Sequence, residues 1–244
     1  DRVDLEPVEF YHRLAVDPSL PHSSMPGLRD FLTAFESALE RGATELLVLT
    51  VSSAMSGTYG VAKAAAEHAS VPVTVVDSKG PTITLGWQVL AAARARDAGA
   101  DLDAVLAQVD QVRSRLAQFV AMETLRYLQT GGRIGDAARW AGNLLKVKPL
   151  VSINHRTGLV HPEGLVRTHR ALVDLLVSRF FEAVGRGPNL RIAVLPGNVP
   201  DEAATLAERI EAKVHPLELL VNITGPVLGI NTGPGALALC GYAE

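Results

Sequence analysis

Val51-Ser-Ser-Ala-Met-Ser-Gly-Thr-Tyr-Gly60 is the stretch whose reading decides the fold. The apolar run Leu46 to Val51 ends abruptly in hydroxyls and a glycine, and a helical pattern begins at about Tyr59. That is a strand, a tight turn and the start of a helix. The first N–H groups of a helix lack intrahelical partners and carry partial positive charge. Hydroxyls and a glycine placed there suit a carboxylate or a phosphate. In an open α/β sheet such a loop lies where ligands bind. A plainer reading stands beside this one: Ser56 caps the helix and Gly57 serves only the turn.

Upstream, Pro7 to Leu14 fits a short helix with proline near its start, and Asp17 to Gly27 a loop rich in proline and serine. Asp30 to Arg41 carries Phe31, Ala34, Phe35, Ala38 and Leu39 on one helical stripe, stopped by Gly42. Downstream, Val71 to Val76 is a second strand, and Leu85 to Ala98 and Leu102 to Leu116 are helices separated by Gly99. Strands alternating with helices predict a parallel α/β layer. The second half mixes patterns. Strands are expected at Phe119 to Met122, Lys148 to Ile153, Arg191 to Leu195, Glu218 to Ile223 and Leu237 to Tyr242, with a turn at His155 to Gly158 leading into Leu159-Val160. Helices are expected at Ala137 to Leu145, His169 to Ala183 and Glu202 to Lys213. The fold class is therefore α/β in two domains: a parallel α/β layer over residues 1–115 and a mixed α+β domain over residues 116–244, with any ligand between them.

Composition narrows the function. The 244 residues are 48% hydrophobic and 20% charged, with net charge −3, which is a globular profile without the basic excess that nucleic acid requires. The arginines are dispersed, so no polybasic membrane patch forms. No apolar run approaches the ~18 residues that span a bilayer, and no signal peptide is visible. Cys240 is the single cysteine, which excludes a disulfide framework or a cysteine-based metal site within one chain and is compatible with a reducing cytoplasm. Several enzyme signatures are absent. No lysine follows a glycine, so there is no phosphate-binding Gly-Lys-Ser/Thr loop; His-Glu-x-x-His does not occur; and Ser56 has Ala54 rather than glycine two residues before it.

Two further segments complete the pattern: Met122-Glu-Thr-Leu-Arg-Tyr-Leu-Gln-Thr-Gly-Gly-Arg-Ile-Gly135 and Gly225-Pro-Val-Leu-Gly-Ile-Asn-Thr-Gly-Pro-Gly-Ala236. With Pro21-His-Ser-Ser-Met-Pro26 and Ser56-Gly-Thr-Tyr59, they make the chain similar over nearly its whole length to the DegV family, bacterial fatty-acid-binding proteins that act as lipid-carrying partners of a fatty acid kinase. The resemblance implies that a long-chain fatty acid is the ligand, with no other cofactor and no metal. It places the carboxylate at Ser24, Ser23 and Ser56, with Gly57 and Thr58 at the helix start. Neutral hydroxyls suit this task because they donate to a charged acceptor. The arginine of Gly-Gly-Arg-Ile, Arg133, is implied to point into the polar end of the site, buried, where its charge offsets the carboxylate. On its own, Arg133 reads as a surface residue after a glycine pair.

The sequence departs from the family in two places. The loop before Thr232-Gly-Pro-Gly235 normally supplies a histidine, whereas here the position is Asn231, which donates through its amide but cannot become cationic near neutral pH. His22, beside Ser23, is the histidine available to compensate. The family also begins with a strand and a Thr-Asp-Ser-type motif, neither of which is found here; Asp1-Arg-Val-Asp-Leu-Glu-Pro7 resembles the segment after them, so the expectation is either that the first strand is missing or that this member has diverged. Val166-Arg-Thr-His-Arg170 resembles the family's basic segment, which makes Arg167 and Arg170 candidates for docking the kinase.

The expected function is thus a cytoplasmic, non-enzymatic carrier, bound neither to nucleic acid nor stably to membrane, that presents a fatty acid's carboxylate to a separate kinase for conversion to acyl-phosphate. Each CH₂ removed from water contributes ~0.8 kcal/mol, so a long tail could contribute roughly 10 kcal/mol before entropy costs. Two rivals use the same residues: a serine hydrolase with Ser56 as nucleophile, and a binding domain for another small anion.

Overall fold

The computed structural model describes residues 4–17, 19, 21–140 and 147–244. Two sheets organise the chain. The first pairs β1 (Leu46–Thr50) with β2 (Val73–Asp77) in parallel, with Leu46 opposite Val73 and Thr50 opposite Asp77. The helix α3 (Thr58–Ala66) is the crossover between them, as a parallel pair demands. Helix α2 (Leu28–Glu40) packs on α3, and its first turn is closed by Asp30, whose carboxylate accepts from Gly27 N at 2.7 Å.

The second sheet has six strands in the order β5-β4-β3-β8-β6-β7. They are β3 (Ala117–Ala121), β4 (Lys148–Asn154), β5 (Leu159–Val166), β6 (Leu190–Pro196), β7 (Glu218–Val221) and β8 (Leu237–Ala243). Only β6 and β7 run parallel; β3, β4, β5, β6 and β8 pair antiparallel. Side chains alternate across each strand, and the two faces differ. Phe119, Ala121, Leu150, Ile192, Val194, Leu237 and Leu239 face helices α7 (His169–Val184) and α8 (Pro200–Val214) through Leu172, Leu176, Phe180 and Leu206. Gln118, Val120, Val151, Ile153, Leu195 and Ala238 point to the opposite face, where no long helix among the described residues covers the middle of the sheet.

Helices α4 (Ile83–Asp97) and α5 (Leu102–Arg115) join the two sheets. Ala92, Val105 and Val109 pack on Leu47, Leu49 and Val76 of the first sheet, while Trp87, Ala91 and Val112 pack on Ala193, Cys240 and Tyr242 of the second. A second contact sits at the β4–β5 turn. The Ser52 hydroxyl donates to Gly158 O at 2.9 Å in a buried setting, and His155 Nδ1 lies 3.3 Å from Lys79 O. Gly158 has φ +77, and a Cβ there would strike the Ser52 side chain, so glycine is required on both counts.

The elements expected from the sequence form, with three corrections. Residues 225–232, read as part of a loop, contain helix α9 (Pro226–Thr232), so Asn231 stands on a helix. Pro226 opens it, the position where proline's missing N–H costs nothing. The helix expected over Ala137–Leu145 is a 3₁₀ helix, Gly135–Trp140, as far as it is described; residues 141–146 lie outside the described residues. The Leu159-Val160 segment continues to Val166 as an edge strand, where Pro162 is tolerated.

Candidate functional site

The uncovered face of the six-stranded sheet is the floor of a cavity of about 420 Å³, within the range of small-molecule sites. A row of paired residues crosses that floor: Val120 is opposite Ala238, and Ala238 is opposite Leu195. Val151 and Ile153 continue it on β4, Val160 on β5. The residues are small or branched and leave room above the sheet. Met55 from the Val51–Gly57 turn and Leu128 from α6 (Arg126–Thr130) close the sides.

Polar groups gather at the mouth. Ser23 and Ser24 line it from the exposed loop before α2, and neither hydroxyl has a hydrogen-bond partner among the described residues. Ser56, Gly57 and Thr58 line it from the start of α3. Gly57, not Ser56, is the N-cap residue, and no side chain caps the helix. Ser56 Oγ instead shares a hydrogen bond with Thr58 Oγ1 at 2.8 Å and accepts from Thr58 N at 3.3 Å. No histidine hydrogen-bonds Ser56 among the described residues.

Arg133 reaches the mouth but is not buried. Its guanidinium is exposed; Nε donates to Met55 O at 3.0 Å and Nη1 to Gly131 O. Two backbone carbonyls therefore hold it, and the other N–H donors of its fork are unassigned. The expectation of a desolvated arginine fails because the Gly131-Gly132 turn carries the side chain at the rim rather than beneath the loops. Asn231 is half-buried opposite it, its Nδ2 donating to Val227 O at 3.1 Å within its own helix. A Cβ on Gly131 would collide with Asn231 Oδ1, so that glycine lets the two segments meet. His22, Ser23, Arg133 and Asn231 share a small recess beside the mouth.

Helix α9 is positioned from a distance. Phe10 and Tyr11 of α1 (Pro7–Val16) press on Gly229, where any Cβ would clash with both rings. The Tyr11 hydroxyl donates to Thr224 O at 3.0 Å, and burial pushes its pKa up to about 12 against a hydrogen bond with Thr232 that pulls it down. This anchor sets Val227, Leu228, Asn231 and Thr232 along the cavity wall. Sequence reasoning did not find Tyr11, because a tyrosine in a short helix gives no sign of its distant partner.

Arg167 and Arg170 do not belong to this site. They flank the start of α7, on the far face of the sheet, exposed and without a partner among the described residues. There Glu123 joins Lys148 and His169, and His169 Nε2 lies 2.6 Å from Glu202. The Glu202 hydrogen bond raises the His169 pKa despite partial desolvation, with Glu123 adding to the effect. Among the described residues no group of three or more His, Cys, Asp and Glu is placed to hold a metal, and no helix is long and apolar enough to cross a membrane.

Comparison with known proteins gives one consistent result. Residues 1–244 match the model of the family described as "Uncharacterised protein, DegV family". A DegV domain-containing protein of Deinococcus radiodurans is 33% identical over 232 residues, covering 94% of this chain and 79% of the relative. One of Streptomyces coelicolor is 34% identical over 218 residues, covering 89% and 76%. Among solved structures, a DegV family protein from Thermus thermophilus, described for its fatty acid binding, superposes with a TM-score of 0.88 at 28% identity, over 98% of this chain and 85% of the other. Bacillus subtilis DegV, described as a fatty acid binding protein, gives 0.86 at 26% identity, over 97% and 83%.

Proposed function

From the premise that the chain belongs to the DegV family, we propose that it is a carrier that holds one long-chain fatty acid and presents the carboxylate to a separate kinase in the cytoplasm for conversion to acyl-phosphate. The observation that carries the reading is the cavity of about 420 Å³: a mostly apolar floor and walls, with the hydroxyls of Ser23, Ser24, Ser56 and Thr58 and the Arg133 guanidinium at the mouth. A tail on the floor is removed from water, which is the main favourable term. The carboxylate meets Ser23, Ser24, Ser56 and Thr58, the N–H end of α3 at Gly57, and the free donors of Arg133. Asn231 supports the rim through its contact with Gly131. Residues 1–115 and 116–244 serve as the two lobes, and the acid lies between them. Because Arg167 and Arg170 lie behind the sheet, a kinase that must reach the carboxylate engages the mouth, and the two arginines are secondary contacts. Proteins of related fold described as fatty acid binding support the ligand class.

Organic extraction of the purified protein followed by mass spectrometry tests the reading. The expected result is long-chain fatty acid at close to stoichiometric yield. Protein that neither retains nor takes up any fatty acid on incubation would overturn it.

A further inference from the structure

The inner end of the cavity is not apolar. Gln118 lies on β3 at the end away from α6 and Arg133, and strand alternation turns it with Val120 toward the cavity. It is 3% exposed, and its Oε1 is buried without a hydrogen-bond partner. Its amide nitrogen has no partner among the described residues either, so exchanging the two amide atoms would not satisfy it. Thr82 lines the same cavity from the start of α4, and its Oγ1 is also buried and without a partner among the described residues. Thr82 holds φ +53, a conformation that a β-branched residue adopts only under constraint, and it does not cap its helix. A leucine or valine at position 118 would complete the apolar floor that Val120, Val151 and Ile153 begin. An amide there is costly unless something pairs with it.

Resting on the carrier reading, we propose that Gln118 and Thr82 form a subsite for a polar substituent on the acyl chain, and that the preferred ligand is a hydroxylated long-chain fatty acid. A hydroxyl both donates and accepts, so it satisfies the Gln118 amide in either orientation and the Thr82 hydroxyl at once. A plain methylene chain leaves all of them unpaired. A ketone or ether only accepts and satisfies fewer.

The test is a competition titration on delipidated protein. It compares octadecanoic acid with octadecanoic acids carrying one hydroxyl at successive carbons from mid-chain to the ω end. The expected result is that one position, or two adjacent ones, binds roughly ten-fold or more tighter than the plain acid. In Gln118→Met, similar in volume and without the polar demand, the order inverts: the plain acid binds tighter than it does to the parent and the hydroxylated acid weaker. A parent that binds the plain acid as tightly as every hydroxylated isomer overturns the subsite, leaves the carrier reading standing, and assigns Gln118 to a bound water alone. A preference that survives in Gln118→Met overturns the assignment to Gln118. Failure of every acid to bind overturns the subsite and the carrier reading together. The parent's ranking decides the matter even if the variant does not fold.

Discussion

Ala238→Leu is the substitution that separates the cavity floor from the rest of the protein. Ala238 sits in the middle of the floor, between Val120 on β3 and Leu195 on β6, and its Cβ points into the cavity. Leucine adds three carbons there and takes the space of about three tail methylenes. At ~0.8 kcal/mol each, a fully accommodated chain loses roughly 2.4 kcal/mol, a weakening of roughly 60-fold. Shorter acids that do not fill the cavity lose less, so the length preference shifts downward. The same change in a packed core would cost about 1–3 kcal/mol of stability by overpacking. Here the added group enters open volume, so the delipidated variant melts at the parent's temperature or above it. The assay is a fluorescent fatty-acid displacement titration over a series of chain lengths, with thermal melting of the same samples. Octadecanoic acid binding Ala238→Leu as tightly as the parent would refute the placement of the tail on this face. A large loss of melting temperature would refute the claim that the space is open.

The mouth, the far face of the large sheet and the joint between the sheets give four more tests. Arg133→Ala should weaken fatty-acid binding by about ten-fold, the lower end for a charge-assisted hydrogen bond because the guanidinium is exposed, and by more than Ser56→Ala; equal affinities of Arg133→Ala and parent would make it a rim residue only. Asn231→His should change affinity by less than about ten-fold at neutral pH, since the native amide already bonds Val227 O, and should tighten binding only as pH falls below ~6.5, which titrations at two pH values read out. Arg167→Ala/Arg170→Ala should leave fatty-acid affinity unchanged; a weakening would mean that the far face communicates with the cavity. Burial, aided by Arg113 and opposed by the Lys79 carbonyl, lowers the His155 pKa to about 4. The unfolded chain takes up that proton near 6.5, so this contribution is fully present above 6.5 and is lost as pH falls toward 4, by about 3 kcal/mol. Urea unfolding of parent and His155→Gln at both ends of that window should show a shallower acid loss in the variant, and parallel curves would contradict it.

The parts legible in the sequence are those where a single local signal suffices. The apolar run into Ser52–Gly57 set the strand, turn and helix that place Ser56, Gly57 and Thr58 at the mouth. The apolar runs Phe119–Met122 and Leu237–Tyr242 marked strands of the large sheet. Helix α9 escaped because its signals are inverted: Gly225, Gly229 and Gly233 with Pro226 and Pro234 read as loop. Gly229 is there for the close approach of Phe10 and Tyr11, from the other end of the chain. The burial of Arg133 was misjudged for a related reason, since a spacing of residues says nothing about what lies above them.

Gln118 shows the deeper limit. In Ala117-Gln-Phe-Val-Ala121 a glutamine between apolar residues is the ordinary mark of a strand with one wetted face. That pattern fits the strand and misstates the environment, because β3 lies in the interior of a six-stranded sheet with a helical layer on one face and the cavity on the other. Which polar residues of a strand face water and which face a closed space depends on strand order, and strand order is set by pairings between segments more than a hundred residues apart, such as β3 with β8. Gln118 is such a residue: polar, in the interior, and without a partner among the described residues. On the proposed carrier reading, the hydroxyls and the arginine at the mouth serve the carboxylate, and the Gln118 amide within the cavity serves whatever the tail carries there.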